Sequence, residues 1–73
     1  MGLMSSIAKV IEVIAESEKS WDDAVKNAVA EAAKTVENIT EVWVASMKAV
    51  VENNKVTKYR ITANITFVLQ GRK

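Results

Sequence analysis

Hydrophobic and polar positions change their spacing twice along the chain, and each change marks a new element. From Ile7 to Ala15 the run Ile-Ala-Lys-Val-Ile-Glu-Val-Ile-Ala is short and rich in β-branched residues. That predicts a strand ending before the polar stretch Glu16-Ser17-Glu18-Lys19-Ser20. Val10 and Ile14 fall on one face, Ile11 and Val13 on the other, a two-sided hydrophobicity that suits burial on both faces. Ser20 then reads as a helix N-cap. Asp23, three residues on, is a shorter relative of the capping-box glutamate, and Asp22 adds negative charge to a first turn where the macrodipole favours it. Trp21, Ala24, Val25, Ala28, Ala32 and Val36 follow at helical spacing, with Lys26, Asn27, Glu31 and Lys34 elsewhere on the wheel. The pattern predicts a helix from Trp21 to Val36, ending near Glu37-Asn38. Its apolar stripe is mostly alanine, so it can approach a sheet closely.

The rest of the chain alternates with period two and reads as a β-hairpin. Thr40 to Val51 forms the first arm, Glu52-Asn53-Asn54-Lys55 supplies turn residues that tolerate positive φ, and Val56 to Leu69 returns. In the return arm Tyr59, Ile61, Ala63, Ile65, Phe67 and Leu69 make one face; Arg60, Thr62, Asn64 and Thr66 make the other. Val42 and Val44 are expected on the apolar face, which places Glu41, Trp43, Ala45 and Met47 with Arg60 and the threonines.

Lengths add a constraint. Strands of a dozen or more residues extend roughly 40 Å, whereas a helix from Trp21 to Val36 covers only about 24 Å. One such helix cannot shield the hairpin, and the overhang calls for another subunit. Composition points the same way. A chain of 73 residues is expected to form one domain, residues 1–73 with its core in 7–69, and a core of that size seldom supplies more than a few kcal/mol. With no Cys, no disulfide can staple it, so self-association is the remaining route to robust stability.

The absence of Cys and His also removes thiolate and Ser–His or Cys–His nucleophiles and most zinc sites, and nothing in the sequence supports catalysis. Ten Lys/Arg against nine Asp/Glu give a net charge of +1. The basic residues are scattered and the only glycines are Gly2 and Gly71, so neither a nucleic-acid stripe nor a phosphate loop is present. No stretch is long and apolar enough to span a bilayer, and Met1–Ser6 has no basic n-region; a cytoplasmic protein without membrane or nucleic-acid partners is expected. On that basis Asn38-Ile39-Thr40 and Asn64-Ile65-Thr66 are chance matches to the glycosylation pattern. The ends, Met1–Ser6 and Gln70–Lys73, are expected to fray.

Three groups of residues carry candidate chemistry. Trp43, on an otherwise polar face opposite the helix, is either a subunit-interface anchor or a stacking platform for a planar ligand. Trp21, by contrast, belongs to the helix stripe and is expected in the core. Arg60, among Thr62, Asn64 and Thr66, could hold a phosphate or carboxylate, or make an inter-subunit ion pair, for example with Glu41. Glu16, Glu18, Asp22 and Asp23 gather near the helix start; such a run is either a solvated cap or a set of oxygen ligands for Ca²⁺ or Mg²⁺.

Several segments, in order, resemble the dodecins, small bacterial and archaeal flavin-binding proteins. Lys9-Val10-Ile11-Glu12-Val13-Ile14 is similar to the family's first strand, and Ser20-Trp21-Asp22-Asp23-Ala24-Val25-Lys26-Asn27-Ala28 to the start of its helix, with Ala32 and Thr35 continuing the pattern. Tyr59-Arg60-Ile61-Thr62 and Ile65-Thr66-Phe67-Val68-Leu69 resemble its last strand. The resemblance covers Ile7 to Leu69. It implies an α+β fold of β-α-β-β order, a three-stranded antiparallel sheet partly wrapped around one helix and assembled as a hollow homododecamer of cubic symmetry. It implies a non-enzymatic protein that stores or sequesters riboflavin or FMN, with paired flavins stacked between tryptophans at subunit interfaces. Without gaps, the flavin-stacking tryptophan position falls on Glu41 and the glutamine that binds the flavin edge falls on Arg60. Trp43 lies two residues along the same strand face, roughly 6–7 Å from the expected ring position. Trp43, Glu41 and Arg60 are therefore the candidate flavin-site residues. Some relatives without the flavin tryptophan are associated with metal ions, so Ca²⁺ or Mg²⁺ is the alternative the resemblance implies.

Overall fold

In the computed structural model, which describes residues 7–69, the sequence pattern resolves into four elements. They are strand β1 (Ile7–Ser17), helix α1 (Trp21–Ala32), strand β2 (Ile39–Glu52) and strand β3 (Lys55–Leu69). The sheet order is β1-β3-β2, with β3 central and both pairings antiparallel. The expected β-α-β-β fold is therefore present. Met1–Ser6 and Gln70–Lys73, for which fraying is expected, lie outside the described residues.

The odd-numbered face of β3 is the core. Ile61, Ala63 and Ile65 are buried beneath Ala24 and Ala28 of the helix, and Val13, Ala15, Trp21, Val25, Val42 and Val44 close around them. The alanines on the helix stripe and Ala63 below let the two layers approach closely. Trp21 packs against this cluster as expected. Its indole N–H also donates to the Lys48 carbonyl at 3.0 Å, and its ring meets Tyr59 edge-on at 5.0 Å between centroids. The helix is thereby tied to both β2 and β3.

Two serine hydroxyls, one buried and one half-buried, set the start of α1. Ser20 is the N-cap, its Oγ accepting from the Asp23 N–H at 2.9 Å. The Asp23 carboxylate does not return to the Ser20 N–H as a capping box would. It accepts from Ser17 Oγ at 2.6 Å, and Ser17 Oγ in turn accepts from the N–H groups of Lys19 at 2.9 Å and Ser20 at 3.5 Å. The one buried polar side chain among the described residues, Ser17, is thus fully engaged.

The two hairpin strands each reach one residue further than expected, β2 at both ends and β3 at its start, and the larger differences lie in β1 and α1. β1 continues two residues further, because Glu16 and Ser17 find partners opposite Arg60 and Tyr59. The helix stops at Ala32, not Val36, and passes through short turns closed by Lys34 N–H to Glu31 O and Thr35 N–H to Ala32 O. Thr35 and Val36 are β-branched and poor at extending a helix. Asn38, at φ 65°, then reverses the chain into β2, a left-handed conformation that asparagine tolerates.

The hairpin turn is where the sequence places it. Asn53 and Asn54 have φ 53° and 64°, the pair of positive values that a two-residue type I′ turn requires. The overhang is also present and larger than expected: the 12-residue helix is about 18 Å long, against a longest dimension of 59 Å. Val51 and Val56 near the turn, and Ile7 and Leu69 at the other end, stay exposed.

Candidate functional site

The face of the sheet away from α1 carries the candidate residues, and the strand register fixes their rows. Glu12, Asn64 and Trp43 form one cross-strand row; Val10, Thr66 and Glu41 form the next towards the N-terminus of β1. On the other side come Ile14, Thr62 and Ser46, then Glu16, Arg60 and Lys48. Trp43 is 68% exposed, Ile14 69% and Val10 59%, so three large apolar groups on this outer face have no cover among the described residues. Two-sided hydrophobicity in β1 is therefore real, but one protomer buries only the side facing α1.

A β-bulge corrects the expected membership of this face. Between Val44 and Ser46 the register slips by one residue, leaving Ala45 unpaired. Ser46 and Lys48 thereby join Thr62 and Arg60, whereas Met47 moves opposite Ile61 on the helix side. Met47 remains exposed there because α1 does not reach over it. Lys48 is consequently a site-face residue that alternation alone assigns to the wrong side.

Arg60 is held within its own sheet. Its Nε donates to Glu16 Oε2 at 2.6 Å, a terminal guanidinium nitrogen contacts the same oxygen, and Lys58 Nζ lies 3.8 Å from Glu16 Oε1. Glu41 sits opposite Thr66, six residues along β3 from Arg60, which is about 20 Å. Within a protomer, then, Trp43 and Glu41 are neighbours, and Arg60 is apart from both. The sequence offered no pointer to Glu16 as Arg60's partner, since the two are 44 positions apart and meet only because β3 pairs with β1.

The hydrogen bond from Arg60 is the main reason that the Glu16 carboxyl is held below its ordinary value of 4.5; burial opposes it, and the charges of Arg60 and Lys58 assist. A depressed carboxylate contributes stability that is present above its unfolded-state value and lost as pH falls through the folded one. Glu16→Gln is expected to lower stability slightly at neutral pH, to leave it unchanged in acid where the Glu16 carboxyl is itself protonated, and so to flatten the decline below about pH 4.5. Thermal melts of both proteins between pH 3 and 7 read this directly, and parallel acid limbs would contradict it.

The acidic residues near the helix start do not converge. Glu16 serves Arg60 and Lys58, Asp22 pairs with Lys26 at 3.7 Å, and Asp23 accepts from Ser17. Among the described residues no group of three or more Asp or Glu is placed to hold a metal ion. For a planar cofactor, by contrast, the outer face offers a broad exposed indole flanked by Asn64 and two carboxylates, a surface that fits stacking but does not enclose a ligand within one protomer.

The comparisons with known proteins agree with this architecture. The family model described as Dodecin matches residues 7–70. Among solved structures, dodecin from Streptomyces coelicolor is similar with a TM-score of 0.88 at 24% identity, over 96% of this chain and 100% of that one. An arginine-to-alanine variant of the Thermus thermophilus dodecin gives 0.87 at 22% identity, covering 93% and 100%. Calcium dodecin from Mycobacterium tuberculosis, described as a calcium-chelating immunodominant antigen with a calcium-binding site, gives 0.78 at 29% identity, covering 93% and 97%. No curated protein matches the sequence. A family match across nearly the whole chain, on the strand order and register described above, shows that this protein belongs to the dodecin family.

Proposed function

We propose that the chain acts as one non-enzymatic unit, 1–73, that assembles as a cytoplasmic homododecamer and holds a flavin, riboflavin or FMN, against the outer face of its sheet. The observation that carries this reading is the exposed Trp43, on the same face as Val10 and Ile14, a face that none of the described residues covers. An isolated domain of this size gains little by presenting three large apolar side chains to water. A second subunit removes them from water, and a planar ring slipped against Trp43 extends the same apolar contact. Glu41 stands on the same face, roughly 6–7 Å from Trp43. Arg60 is too distant to share a ligand with Trp43 through its ring edge alone, so its contribution to a ring-edge contact comes from a neighbouring subunit. Family membership supports both assembly and flavin binding.

Two measurements test the proposal. Size-exclusion chromatography with light scattering is expected to give a mass near twelve subunits; a compact folded monomer at high dilution would overturn the assembly. Titration of riboflavin or FMN with protein is expected to quench flavin fluorescence. Unchanged fluorescence at protein concentrations of tens of micromolar would reject the ligand.

A second reading is favoured by Glu41 at the family's stacking position and by the likeness to a calcium-chelating dodecin. In it, the shell is flavin-free and associated with Ca²⁺ or Mg²⁺, with carboxylates from several subunits sharing an ion that the described residues of one protomer do not gather. Calorimetry with each cation tests it. Absence of heat together with identical melting in chelator counts against it.

A further inference from the structure

Trp43 is bracketed by carboxylates. Glu12 stands in its own cross-strand row, beyond Asn64, and Glu41 stands two residues along β2 on the same face. Their Cα atoms lie about 10 Å and about 6–7 Å from that of Trp43. Both carboxylates are exposed, and among the described residues neither takes part in an ion pair. The nearest cations of this face among the described residues, Arg60 and Lys48, share a row four residues along β3, about 13 Å away. The Arg60 guanidinium is moreover already engaged by Glu16. Val10 and Ile14 are exposed in the rows on either side of Glu12, and they extend the apolar surface beside the indole.

We propose that this face binds a planar heteroaromatic cation in preference to a neutral or anionic ring of the same shape. The inference rests on the reading that Trp43 stacks a planar ligand, and it adds the sign of charge that the surroundings select. An indole face attracts a cation through its quadrupole as well as by dispersion. Exposed carboxylates on two sides add Coulomb attraction that no cation among the described residues cancels at close range. Charge delocalised over a flat ring is weakly hydrated, so little is lost when it leaves water. Such a ring also covers Val10 and Ile14, which a compact ammonium ion does not. A flavin ring is uncharged; it gains the stacking and none of this attraction. An anionic ring is repelled by Glu12 and Glu41.

Acridines of one ring system and different charge are the probes: N-methylacridinium is positive, acridine in mildly alkaline buffer is neutral, and acridine carboxylate is negative. In low salt N-methylacridinium is expected to bind on the order of tenfold more tightly than acridine, and the carboxylate more weakly than either. The differences are expected to close in several hundred millimolar NaCl, where the screening length falls to a few ångströms. The double substitution Glu12→Gln/Glu41→Gln is expected to bring the three affinities together, and Trp43→Ala to weaken all of them. Equal affinities in low salt, a preference that persists in high salt, or one that survives the double substitution would overturn the inference. Riboflavin titrated in parallel separates this outcome from failure of the flavin reading. Riboflavin bound with no preference among the acridines leaves the flavin reading standing alone. N-methylacridinium bound without riboflavin supports the inference and rejects flavin, and binding of no ring at all overturns both.

Discussion

Ile65→Ala is expected to remove about 3 kcal/mol of stability and to shift the urea midpoint downward by more than any other single truncation in β3 apart from Ile61→Ala. The reason lies in how little core there is. Of the buried apolar residues, Ala24, Ala28 and Ala63 contribute small volumes, and Ile61 and Ile65 are the only large side chains fully withdrawn from water among the described residues. Ile65 sits in the central strand with Ile11 on one side and Val42 on the other, so a truncated side chain leaves a cavity walled by two regular strands that cannot collapse into it. A chain of this length has about 4–11 kcal/mol in total, so the loss is a large fraction of the whole. Measurements of wild type and variant at one protein concentration are required, because association adds to apparent stability. A loss below about 1 kcal/mol would show that the helix–sheet contact is not the main source of protomer stability.

Trp43→Ala is expected to weaken flavin binding between roughly fivefold and 150-fold, which is what the loss of one aromatic stacking surface worth about 1–3 kcal/mol amounts to. Trp43→Phe retains a ring and is expected to recover most of it. Because Trp43 is 68% exposed and makes no core contact, neither change is expected to disturb the protomer fold. The ring is also a candidate interface anchor, so fluorescence titration and light scattering belong together. Loss of flavin affinity in an intact assembly supports stacking. A variant that dissociates while its subunits stay folded assigns Trp43 to the interface instead, and unchanged affinity in an intact assembly removes it from the ligand site.

Local rules account for the elements and their order. The β-branched run Ile7–Ala15, the Ser20 cap, the alanine stripe on α1 and the Asn53-Asn54 turn each act over a few residues, and each appears where the sequence puts it. Alternation in β3 likewise separates Ile61, Ala63 and Ile65 from Arg60, Thr62 and Asn64, because from Lys58 to Phe67 this strand contributes no extra residue to either pairing and keeps a strict period of two; its own irregularity, at Thr57, lies nearer the turn. The comparison of lengths foretells uncovered sheet at both ends, since rise per residue depends on element type alone.

Pairing between distant strands is another matter. That Glu16 neutralises Arg60, that Lys48 shares its row, and that Met47 leaves this face all follow from the strand order β1-β3-β2 and from one unpaired residue, Ala45, in β2. A bulge reverses every later side chain in its strand, yet its own residue, an alanine, carries no local signature of it. Periodicity along a chain therefore specifies which residues can be inside. Which charges meet, and whether Trp43 lies beside carboxylates or cations, is settled by register across strands, where contacts between residues far apart in sequence select among alternatives of nearly equal local energy.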